Sequence, residues 1–123
     1  MKQSITTLLL AGLLATTAAQ AEERTDHFEG ETSATLEQAV TNFSATNRQL
    51  AELLAQPELE TSDLGTIHEL TYTLENALEK IKEETADMAI ALEEVHQGSE
   101  TGDVERVRAN GETYLGAAQT LVP

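Results

Sequence analysis

Three histidines, His27, His68 and His96, are the residues of this chain best suited to bind a metal, and their spacing restricts what they could hold. His68 and His96 lie 28 residues apart in a segment with helical periodicity. That places them on one face but on the order of 40 Å apart at ~1.5 Å per residue, too far to share an ion. A two-histidine site within one chain must therefore use the N-terminal arm, with His27 reaching His96 and Asp26, Glu29 or Glu93 adding oxygen ligands for a divalent cation. Haem is disfavoured. Met88 and His96 are the axial-ligand types in range, but they sit eight residues apart on one helix and cannot address opposite faces of one iron. Glu83-Glu84 and Glu93-Glu94 are acid/base candidates by type alone, because a helix without a pocket normally presents such pairs to solvent. No serine or threonine stands in a nucleophile elbow, phosphate loop or triad-like setting, so the expectation is a protein without catalytic activity and without a cofactor.

The elements that would position these residues are helices. Leu64, Ile67, Thr71, Leu74, Leu78, Ile81, Thr85, Met88, Leu92 and Val95 recur at steps of three and four, and neither Gly nor Pro falls between Thr66 and Gln97. This pattern predicts one long helix over about 62–97, capped by Thr61 or Ser62 and stopped at Gly98. Before it, Leu36, Val40, Phe43, Asn47, Leu50 and Leu54 predict a helix over about 33–56, capped by Thr32 or Ser33 and ended by Pro57. After it, Val104, Val107, Gly111, Tyr114, Ala118 and Leu121 predict a third over about 103–121, capped by Asp103, with Gly111 allowing close backbone approach. Short connections make neighbours antiparallel. The expected fold is an all-α, antiparallel three-helix bundle with a long central helix, occupying 32–123.

The first and last helices meet the central one from opposite turns and overlap fully only around its middle. Part of the central stripe is then covered from one side only, which leaves two ways of completing the fold: dimerisation or another helical partner, or closure by the chain's own arm at 22–31. The helix-association seam would consist of Leu64, Ile67, Leu74, Leu78, Ile81, Met88, Leu92 and Val95, with Asn47 as the amide that fixes register.

Composition narrows the classes further. Seven Lys and Arg against 22 Asp and Glu give a formal charge of −15, which disfavours nucleic acid and anionic lipid as partners. Absence of Cys removes disulfides, thiolate metal sites, a lipid anchor and Cys-x-x-Cys-His haem attachment. Lys2, the apolar run from Ile5 to Leu14 and the small-x-small Ala19-Gln20-Ala21 read as an export signal over 1–21, cleaved after Ala21. The expected location is the periplasm, with no membrane insertion, since no later stretch approaches the ~20 apolar residues a crossing requires.

The run His68-Glu69-Leu70-Thr71-Tyr72-Thr73-Leu74-Glu75-Asn76-Ala77-Leu78-Glu79-Lys80-Ile81 resembles the central signature of a family of short exported proteobacterial proteins of unknown function. His27-Phe28-Glu29-Gly30, Leu36-Glu37-Gln38-Ala39, Leu92-Glu93-Glu94-Val95-His96 and Tyr114-Leu115 extend the resemblance over nearly all of 22–123. It implies a small helical periplasmic protein and carries no catalytic residue to transfer. In plan, a leader followed by a helical bundle, the chain is more loosely similar to soluble periplasmic b-type cytochromes. It lacks their Met early in the first helix and His late in the last.

Overall fold

A computed structural model describes residues 28–123; the segment 1–21 expected to be an export signal, Asp26 and His27 lie outside them. Three helices follow an extended strap at 28–34: α1 (Leu36–Leu54), α2 (Thr61–Thr101) and α3 (Val104–Leu121). α2 packs against both neighbours, and α1 and α3 touch each other only lightly. The all-α bundle with a long central helix is the architecture found.

Local chemistry sets the boundaries. α1 starts after Thr35, whose hydroxyl accepts the Gln38 N–H at 3.2 Å, while the Gln38 side chain accepts the Ala34 N–H at 3.0 Å. Thr32 and Ser33, the expected caps, serve Asn42 instead: its amide donates to the Thr32 carbonyl and the Ser33 hydroxyl. α1 ends at Leu54, short of Pro57. α2 begins at Thr61, so its N-cap is Glu60 rather than Thr61 or Ser62, and the Glu60 N–H donates to the Asp63 carboxylate at 2.8 Å.

The other end of α2 differs more. The helix passes through Gly98 and continues to Thr101, stopping at Gly102 with φ of +74°, a left-handed position that suits glycine. Gly98 is buried, and a Cβ there would lie 3.0 Å from Val107 Cγ2. Its role is to let α3 fold back closely, the role expected of Gly111. At Gly111 a Cβ would meet nothing nearer than Val95 Cγ2 at 3.9 Å, an ordinary contact. Asp103 caps α3 as expected, accepting the Arg106 N–H at 3.0 Å, and α3 runs unbroken through Gly111 and Gly116.

The core is built from small side chains. Ala39 and Ala77 are fully buried, Ala91 is 6% exposed, and Leu36, Leu74, Thr46 and Thr73 complete the buried set; no large side chain is fully buried among the described residues. On α2 the packed face therefore runs through Thr73, Leu74, Ala77, Ala91 and Gly98, to one side of the leucine stripe. On α1 it runs through Leu36, Ala39 and Thr46, with Asn47 half-buried beside it. Alanine at these positions brings helix backbones together, and the larger residues of the stripe are left towards the flank.

Glycines in two helical settings should respond oppositely to substitution. Gly98→Leu is expected to destabilise the fold by about 2 kcal/mol or more, because the side chain must displace Val107 and the α3 backbone. Gly65→Ala, where a Cβ meets nothing within 4 Å, should stabilise it by about 0.5–1 kcal/mol. Urea unfolding followed by circular dichroism measures both.

Candidate functional site

The strap docks on the N-terminal half of α2 through four side chains that periodicity does not single out. Phe28 meets Tyr72 with ring centroids 6.0 Å apart. Glu31 donates its N–H to the Thr73 hydroxyl at 3.0 Å, and Thr73 is buried beneath it. The Asn76 amide donates to two strap carbonyls, Glu29 at 3.0 Å and Glu31 at 3.1 Å. Between them Gly30, at φ +70°, lies so close to α2 that a Cβ would sit 2.7 Å from the Thr73 nitrogen and 2.8 Å from the Tyr72 carbonyl carbon. Those are helix backbone atoms with no freedom to move aside. Tyr72 is held in turn by His68, whose Nε2 is 3.3 Å from the phenol oxygen, with the rings edge to face.

An open groove of about 740 Å³ lies between the strap and α2, lined among others by Thr32, Ser33, Asn76, Lys80 and Lys82. Lys80 is paired with Glu84 at 2.7 Å and Glu83 at 3.1 Å, and these two carboxylates hold its ammonium above the ordinary lysine range. At the opposite end of the bundle, Arg106 Nε donates to Glu94 at 2.8 Å and its Nη2 to Gln97 at 2.9 Å. Hydrogen bonding by Arg106 lowers the Glu94 carboxyl below the usual value of 4.5. This link between α2 and α3 is complete at neutral pH and fades only in acid, as pH falls through the lowered value.

The expected metal set is not brought together among the described residues. His96 is exposed and faces Glu100 at 3.5 Å, and Glu93 accepts a hydrogen bond from Gln97. The strap delivers Phe28 to Tyr72, 24 residues before His96, a separation of ~36 Å along α2. No group of three or more His, Cys, Asp or Glu among the described residues could hold a metal ion. Met88 is half-buried.

The seam residues divide. Leu74 is buried and Ile67, Ile81, Met88 and Val95 are half-buried, whereas Leu64, Leu78 and Leu92 are 56%, 50% and 47% exposed. Thr71 and Thr85, on the exposed side of the stripe, turn their hydroxyls onto the helix's own carbonyls of His68 and Ile81, at 2.6 and 2.8 Å. The strap does not reach Leu78 or Leu92. It crosses α2 at Tyr72, Thr73 and Asn76, on a different side from the leucines.

The crossing pairs the Phe28-Glu29-Gly30 end of the chain with the Tyr72-Thr73-Leu74-Glu75-Asn76 run, two segments far apart in sequence that belong to one pattern matched over residues 1–123. The chain belongs to the family of unknown function DUF6746. No curated protein and no solved structure matches it. In this DUF6746 chain, the strap and the middle of α2 are two halves of one clasp. No helix among the described residues is long and apolar enough to cross a membrane.

Gly30→Ala tests the clasp. The added methyl collides with α2 backbone at a backbone angle that L side chains rarely adopt, so the strap should lift and release Thr73 and Asn76. Hydrogen exchange at the Glu31 amide is expected to rise by about tenfold or more, while α3 amides stay unchanged.

Proposed function

We propose that this DUF6746 protein acts by helix-mediated association, as a homodimer formed through the uncovered flank of α2, and catalyses no reaction. The observation that carries the reading is the half-exposure of Leu78 and Leu92, two leucines of one stripe on a flank of α2 that its contacts with α1, α3 and the strap leave open. Both leucines are seven residues from Thr85. Between them the flank carries Thr85 and Ala89, small residues that permit close approach of a second helix. A two-fold axis at Thr85 sets Leu78 of one copy against Leu92 of the other, twice, which is the self-complementary pattern an isologous interface requires.

The non-enzymatic reading is supported by the state of the carboxylate pairs. Glu83 and Glu84 pair with Lys80, Glu93 with Gln97 and Glu94 with Arg106, so each carboxylate is engaged by a neighbouring side chain. The proposed place of action is the periplasm. Support for it lies in Lys2, the apolar run to Leu14 and the Ala19-Gln20-Ala21 site.

Sedimentation equilibrium in ~0.15 M salt, where the Debye length of about 8 Å relieves repulsion between acidic chains, tests the association. A dimer is expected for the unaltered protein. Leu78→Asp should yield a monomer with unchanged helical circular dichroism, since the side chain is half in solvent. An unaltered protein that sediments as a single chain at every concentration would remove the reading.

A further inference from the structure

Three exposed leucines bracket the α1–α2 connection, at the end of the bundle away from α3 and distinct from the α2 flank. Leu54 closes α1, Leu59 lies in the loop and Leu64 is in the first turn of α2; they are 58%, 42% and 56% exposed. A separate shallow hollow of about 350 Å³, which none of the three leucines lines, opens between the helices at this end, bounded by Gln49, Glu52, Leu53, Gln56, Thr66 and Leu70. α3 does not cover this end. With Val107 at Gly98 and Gly111 at Val95, its 18 residues run antiparallel to α2 and reach only about as far as Glu84.

The electrostatics of this end are one-sided. Between Arg48 and His68 the chain carries Glu52, Glu58, Glu60 and Asp63 and no cation. Asp63 is engaged in capping α2, and the exposed Glu58 and Glu60 flank Leu59 directly in the loop. A second copy of this chain would bring the same four carboxylates against them. A surface that is apolar at its centre and anionic at its edge instead complements a segment with apolar residues on one face and lysine or arginine around it.

We propose that the α1–α2 end is a docking surface for a basic amphipathic segment of another protein, whose apolar residues seat on Leu54, Leu59 and Leu64 and whose cations meet Glu58 in the loop. This surface goes beyond the α2 flank and does not require dimerisation.

Fluorescence anisotropy with the full protein in ~0.15 M salt provides the test, the probe being a labelled leucine–lysine peptide of about 14 residues with leucines at helical 3-4 spacing. A peptide of the same composition in scrambled order is the control. The patterned peptide is expected to bind about tenfold more tightly than the scrambled one, to lose about tenfold on Leu54→Ser/Leu59→Ser/Leu64→Ser, and about twofold on Glu58→Gln. Retained helical circular dichroism certifies the serine variant; should it unfold, Leu59→Ser alone, in the loop, carries the same direction of change. Equal binding of both peptides, or binding indifferent to the leucines, would reduce the surface to non-specific charge and overturn the proposal. So would a dimer abolished by Leu59→Ser, which would make a second copy the occupant. Peptide binding lost on Leu78→Asp but kept in the serine variant would also overturn it, yet leave association through the α2 flank standing.

Discussion

Close packing of small residues along one side of α2 is the constraint on which the remaining structure depends. A helix of 41 residues, ~60 Å long, is flanked by helices of 19 and 18 residues that share its length between them. At any level α2 has little more than one helical neighbour, so a core of large side chains could never be enclosed. Ala39, Ala77, Ala91 and Gly98 bring the backbones near enough that contact is made without them. The same geometry leaves the leucines beside that seam, Leu78 and Leu92, half in water, and leaves the α1–α2 end without a third layer. What the fold needs and what it exposes are consequences of one length mismatch.

The strap answers part of that mismatch with polar chemistry. Where a bundle would place a further helix, a seven-residue strap crosses α2, and three of its backbone groups, the Glu31 N–H and the Glu29 and Glu31 carbonyls, are satisfied by Thr73 and Asn76. Such a crossing is short-range and depends on glycine: only Gly30 can take a positive φ while lying against helix backbone. The aromatic contact from Phe28 to Tyr72, itself backed by His68, fixes where the strap starts.

Much of the fold was legible in the residues. Three helices, their order, the stop before Pro57 and the Asp103 cap follow from spacing and terminal chemistry. The packed face of α2 did not, because weight given to Leu, Ile and Val passes over Ala77, Ala91 and Gly98, whose value lies in their lack of bulk. Gly98 read as a terminator for the same reason, since a glycine that ends a helix and one that admits a neighbouring helix look alike in sequence. Of the site, Leu78 and Leu92 were visible as stripe members but not as its exposed half. Thr73 and Asn76 gave no signal of their own, because partners 42 to 47 residues away cannot be inferred from helical period.

The central claim is that the uncovered flank of α2 pairs with its own copy about Thr85. The chain contains no cysteine, so Thr85→Cys introduces a single thiol at the proposed axis. Mild oxidation of this variant should give a disulfide-linked dimer quickly, and Leu78→Asp in the same chain should slow it to the rate of a control thiol at Glu112 on α3. Cross-linking at Thr85 no faster than at Glu112 would contradict the account.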